Sequence, residues 1–103
     1  MDINCFIVQA DKCNPITYEE TTAMATIRYS ITADNLSCIF TKEIVNLNEK
    51  EDSTIQKIMK GKKLECIYIS GQFNDQWTTS LIEGLEDCQG ELKEAIGQLL
   101  LLV

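Results

Sequence analysis

With 103 residues, 16 acidic against 9 basic side chains and no histidine, the chain has room for a single globular domain, 1–103, and carries a net charge of −7. A hydrophobic content of 45% with one proline excludes a disordered chain, and by the size scaling of folded proteins such a domain buries about 65% of its unfolded surface. The acidic balance excludes nonspecific binding to nucleic acid or to an anionic membrane, both of which demand surplus Lys and Arg.

The N-terminus, Met1 to Gln9, lacks the basic start and small-residue cleavage site of a secretory signal. Ile3 to Val8 is an apolar run with a β-branched bias and predicts a largely buried first strand. Asp11 to Thr22 is polar, holds the only proline and reads as a loop. From Ala25 the pattern alternates, with Ile27, Tyr29, Ile31 and Ala33 on one face and Thr26, Arg28, Ser30 and Thr32 on the other. Asp34 and Asn35 tolerate positive φ and predict a two-residue hairpin turn into a strand from Leu36 to Val45. That register sets Ala33 opposite Leu36, Ile31 opposite Cys38 and Tyr29 opposite Phe40.

Ser53-Thr54-Ile55-Gln56 has the form of a capping box and predicts a short helix that Gly61 ends. Leu64 to Ser70 predicts another strand, with Leu64, Cys66 and Tyr68 on one face, Ile67 and Ile69 on the other, and both faces covered. From Asp75, a candidate N-cap, Trp77, Leu81, Leu85, Cys88, Leu92, Ile96, Leu99 and Val103 recur at steps of three and four. They make one stripe of a long amphipathic helix, with a kink or break expected near Gly90. The whole is an α+β fold, a mostly antiparallel four-stranded sheet in β-β-β-α-β-α order with the last helix packed on one face.

Chemistry is sparse. Without histidine there is no Ser-His-Asp or Cys-His pair and no histidine-based zinc site, so no catalytic, cofactor or metal residues are assigned and the chain does not read as an enzyme. The five cysteines, at 5, 13, 38, 66 and 88, are odd in number and form no Cys-x-x-Cys, which predicts reduced, mostly buried thiols in a cytoplasm. Lys57, Lys60, Lys62 and Lys63 do not match a phosphate-binding loop and read as lysines at a helix C-terminus. Trp77 reads as core. The longest apolar run, Leu99 to Val103, is far short of the roughly 20 residues that cross a bilayer, so a soluble protein is expected.

The sharpest feature is charge placement. Residues 75–103 hold six carboxylates against Lys93 alone, and Glu83, Glu86, Asp87, Glu91 and Glu94 are the candidate partner-binding residues. A rigid acidic face complements a basic protein, such as a toxin nuclease domain whose cleft is built to hold phosphates. The small, acidic, single-domain profile resembles that of bacterial immunity proteins, including those of contact-dependent inhibition systems. The resemblance implies a cytoplasmic inhibitor that binds a basic, nucleic-acid-cleaving toxin and touches neither nucleic acid nor membrane itself. Two other readings share the charge logic or the apolar end: a phage inhibitor of a host nucleic-acid-binding defence complex, and an adaptor domain that homodimerises through Leu99–Val103.

Overall fold

The computed structural model describes residues 2–80 and 82–102. Its centre is the hairpin of β2 (Ala25–Asp34) and β3 (Ser37–Leu47), the two longest strands. Asn35 takes the left-handed φ of 54° as first residue of the turn, and Asp34 pairs with Ser37. The turn therefore lies one residue later than the sequence suggests, and the register shifts by two: Ala33 pairs with Cys38, Ile31 with Phe40 and Tyr29 with Lys42. An even shift preserves the faces. Tyr29 and Phe40 still share a face and stack with ring centroids 6.0 Å apart, whereas Leu36 moves to the turn tip and is 95% exposed.

Before β2, two elements differ from the sequence expectation. Residues Ile3–Asp11 are a helix, α1, rather than a strand: the Asp2 carboxylate accepts from the Cys5 amide at 2.8 Å, and Phe6 and Ala10, four apart, are its buried positions. A short apolar run fits either period, and the cap decides. Residues Ile16–Thr21 are not loop but β1, antiparallel to β2, with Ile16 and Tyr18 turned inward and Glu19 exposed on the edge.

After β3, helix α2 (Ser53–Met59) starts one residue beyond its cap, Asp52, whose carboxylate accepts from the Thr54 amide at 2.8 Å. The capping box is not formed, because the Gln56 amide donates to carbonyls of the preceding loop instead, at 3.0 Å to Glu51. β4 (Lys63–Tyr68) pairs with β3 and, through Glu65 and Cys66, with the two-residue β5 (Cys88–Gln89). The sheet thus has five strands in the order β1-β2-β3-β4-β5, each pair antiparallel, in place of the four expected.

One long helix from Asp75 is not formed. The segment divides into α3 (Gln76–Thr79), a 3-10 turn (Leu85–Asp87), β5 and α4 (Glu91–Leu102). Asp75 stands at the N-cap of α3 without a side-chain capping bond. The glycines enforce the division: Gly84 has φ +79° and Gly90 φ +119°, both hostile to a continuing helix. The stripe nonetheless faces inward, with Trp77, Cys88, Leu92 and Ile96 buried and Leu85 and Leu99 partly so. Its other positions, Leu81 and Val103, lie outside the described residues.

The core lies between one sheet face and the helices. Phe6 and Ala10 of α1, Met59 of α2, Trp77 of α3, and Leu92, Ala95 and Ile96 of α4 join Tyr29, Ile31, Phe40, Ile44, Leu64 and Tyr68 in one cluster. The opposite sheet face is half open, so β4 is not covered on both sides: Ile67 and Ile69 are more than half exposed. No described helix is long and apolar enough to cross a membrane.

The cysteines correct the expectation of reduced thiols. Cys13 is bonded to Cys38 and Cys66 to Cys88, with Cα separations of 5.6 and 4.1 Å, and Cys5, on α1, is free and exposed rather than buried. Sequence spacing hides both pairs because neither is local: one joins the turn after α1 to β3, the other joins directly opposed residues of β4 and β5.

Candidate functional site

The residues that carry the negative charge surround β5, at one edge of the sheet. Their backbone is held by side chains that the sequence pattern did not connect. The Trp77 indole N–H donates to the Gly84 carbonyl at 2.7 Å, closing the segment between α3 and the 3-10 turn on itself. Gly84 takes a φ of +79°, which favours glycine, and a Cβ there would press on the Asn74 side-chain amide at 2.8 Å and the indole ring at 3.3 Å. The Ser80 hydroxyl accepts from the Ile82 and Glu83 amides at 3.2 and 3.1 Å.

Beneath this segment lies Lys42, which no sequence motif marks. It is 3% exposed on the core face of β3, in phase with Cys38, Phe40 and Ile44, and that phase was its signal. Its Nζ donates to the Trp77 carbonyl at 3.0 Å and the Ser80 carbonyl at 3.4 Å, and stands 5.8 Å from the centre of the Tyr29 ring. Burial lowers its pKa from 10.5 to about 8, and the charge of Glu20 opposes that shift. Burial also pushes Tyr29 up to about 12, assisted by Glu20 and Tyr18, and Tyr68 up to about 12, assisted by Asp11.

Past the 3-10 turn, the Cys66–Cys88 bond fastens β5 to β4, and Gly90 passes so close that a Cβ would lie 2.5 Å from the Lys63 carbonyl oxygen. Lys93 donates to the Cys88 carbonyl at 3.0 Å. The described residues from α3 to the start of α4, 76–80 and 82–91, are therefore held by an indole bond, a buried ammonium, a disulfide and a backbone contact that only glycine permits.

On this tied chain the candidate carboxylates are all exposed, but they do not share one helix face. Glu83 sits before the 3-10 turn and accepts from the Gln76 side-chain amide at 2.9 Å. Glu86 and Asp87 lie within the turn. Glu91 and Glu94 occupy the first turn of α4, where the helix dipole favours them, and Glu91 pairs with Lys62 at 3.1 Å. Glu86, Asp87 and Glu94 have no ion pair among the described residues. Of the lysine cluster, Lys62 is thus engaged with the acidic site, while Lys63 lies on the open sheet face.

No group of three or more His, Cys, Asp or Glu among the described residues is arranged to hold a metal ion. The arrangement presents exposed negative charge along one edge of the sheet. No family model, curated protein or solved structure matches the chain.

Proposed function

We propose that the protein is a stoichiometric inhibitor of the immunity type, which binds a basic, nucleic-acid-cleaving toxin through Glu83, Glu86, Asp87, Glu91 and Glu94. The observation that carries this reading is the fixed backbone beneath those exposed carboxylates. Charges on a pre-ordered segment lose little conformational entropy on binding, and their field steers a basic partner before contact.

The two disulfides bear on the compartment. Such pairs persist where the surroundings are oxidising. The reading therefore moves from the cytoplasm to an oxidising compartment, where the partner is met before it reaches nucleic acid.

The test is to reverse Glu83, Glu86, Asp87 and Glu94 to lysine, leaving the Glu91–Lys62 pair in place, and to measure association with the product of the neighbouring gene. The wild-type association rate should fall steeply with added salt. The reversed protein should associate at least about tenfold more slowly at low salt and show little salt dependence. Equal rates for the two proteins would assign the carboxylates to solubility alone.

A further inference from the structure

The open sheet face carries a charge pattern unrelated to the acidic edge, and the inference from it stands independently of the proposed inhibitor function. Cross-strand pairing sets Glu19 of β1 beside Arg28 of β2, Arg28 beside Glu43 of β3, and Glu43 beside Lys63 of β4. The row reads minus, plus, minus, plus across four strands. Within it Arg28 bridges both neighbours, at 3.0 Å to Glu19 and 3.3 Å to Glu43. The adjoining outward rows are Thr17, Ser30, Thr41 and Glu65, and then Thr32, Ile39 and Ile67. Ile67 is 52% exposed, and no described helix covers this face.

An alternating row of four charges has a property that a row of three or five lacks: reversed, it is its own complement. We infer that this face pairs with the same face of a second copy of the chain, about a two-fold axis parallel to the strands and midway between β2 and β3. That operation sets Glu19 of each copy against Lys63 of the other, and Arg28 against Glu43. It also sets Glu65 against Thr17, and Asp34 against Ser37, so no like charges meet. A two-fold axis along the row would oppose each charge with itself and is excluded.

The first four strands, at about 3.3 Å per residue and about 4.8 Å between strands, make a face of about 500 Å². A standard interface buries about 800 Å² per partner, so the pairing is weak and concentration-dependent. Cohesion comes from Ile39 and the threonine methyl groups, and the charges fix orientation more than affinity. The acidic edge at β5 lies outside the four strands and stays free in the pair.

The test is analytical ultracentrifugation of wild type and two single variants, Arg28→Glu and Glu43→Arg, each checked for folding by circular dichroism. The wild type should shift reversibly from monomer to dimer with rising concentration. Each variant alone opposes like charges at the axis and should dimerise at least about tenfold more weakly. An equimolar mixture restores opposite charges at every position of the row and should dimerise like wild type. Lys63→Glu, which breaks no ion pair among the described residues, should also weaken association and serves if a bridged variant fails to fold. The inference is overturned if the wild type stays monomeric up to about 1 mM, the upper range for a weak specific contact. It is equally overturned if the variants dimerise unchanged, if the mixture does not recover, or if Leu101→Lys at the end of α4 abolishes a dimer that the sheet variants leave intact.

Discussion

Replacing Lys42 by methionine is expected to stabilise the protein at neutral pH and to remove a rise in stability that the wild type shows in mild alkali. Met retains most of the volume and length of the lysine stem, so the change isolates the ammonium group. With the pKa lowered from 10.5 to about 8 in the folded state, and about 1.4 kcal/mol per pH unit, carrying the charge in the folded protein costs roughly 3 kcal/mol at neutral pH. Removing it also leaves the Trp77 and Ser80 carbonyls without their donor, a loss of about 1–2 kcal/mol because the bond to Ser80 is only part-buried. The balance is a gain of about 1–2 kcal/mol at pH 7. The sign of the pH effect follows from proton counting. Between about pH 8 and 10.5 the unfolded chain holds a proton on this lysine that the folded protein has released, so wild-type stability climbs across that window and is lost as pH falls through 8. Tyr29 and Tyr68 act oppositely: the folded state keeps their protons to about pH 12, while the unfolded chain loses them near 10, so stability declines above that. Wild type should therefore be most stable near pH 10. Urea unfolding followed by tryptophan emission between about pH 7 and 10 measures this, in a Cys5→Ser background that blocks thiol–disulfide exchange. A wild-type stability that is flat or falling from pH 8 to 10, or a Lys42→Met variant that keeps the rise, would refute the reasoning.

The disulfides and glycines give further expectations. A thiol reagent applied to the native protein should label only Cys5, and all five cysteines should react after reduction and unfolding. Replacing Cys66 and Cys88 by serine opens a loop of 22 residues in sequence and should lower stability by about 3 kcal/mol on the chain-entropy account, read from the urea midpoint. Gly90→Ala drives a Cβ to 2.5 Å from the Lys63 carbonyl and should cost about 3 kcal/mol or more. Gly61→Ala meets open space and bears only the strain of its φ of +78°, about 1 kcal/mol, so thermal midpoints of the two variants should differ clearly.

The parts of the fold that could be read from the chain are those in which one local signal stands alone. Alternation from Ala25 to Ala33 has no helical competitor, and it placed β2 and its core face correctly. A two-residue turn could be centred on Asp34-Asn35 or on Asn35-Leu36. The pattern does not separate these, since both keep Tyr29 and Phe40 on one face. Ile3 to Val8 fitted strand and helix alike, and the deciding signal, Asp2 as a cap, lay outside the run. The stripe from Trp77 reads as one helix because its inward positions are genuine. What the spacing does not reveal is that Gly84 and Gly90 both take a positive φ, and that Gly90 passes too close to the Lys63 backbone for a Cβ. For the site, the acidic residues and their exposure are legible, whereas Lys42 and the disulfide hold them through contacts 22 to 38 positions apart, and the indole bond, only seven apart, follows no periodic pattern. Lys42 was discoverable in principle, as a charge occupying an inward position of an otherwise apolar alternation.

All seven aromatic side chains belong to one connected set: Phe6 lies near Tyr18, Tyr29, Phe40 and Phe73, and Trp77 lies near Phe40, Tyr68 and Phe73 at centroid distances of 5.3 to 5.7 Å. This makes the core an optical circuit with a single outlet. Excitation absorbed by Tyr18, Tyr29 or Tyr68 should pass to the one indole, so the folded protein emits as tryptophan and tyrosine fluorescence returns only when the set comes apart. The parallel stacking of Tyr18 on Tyr29 and of Phe40 on Trp77 holds the transition dipoles in fixed mutual orientation and should give strong near-ultraviolet dichroism. Because the same indole N–H holds the segment that displays Glu83, a shift in its emission on mixing with a partner would report engagement of the acidic edge without any added label.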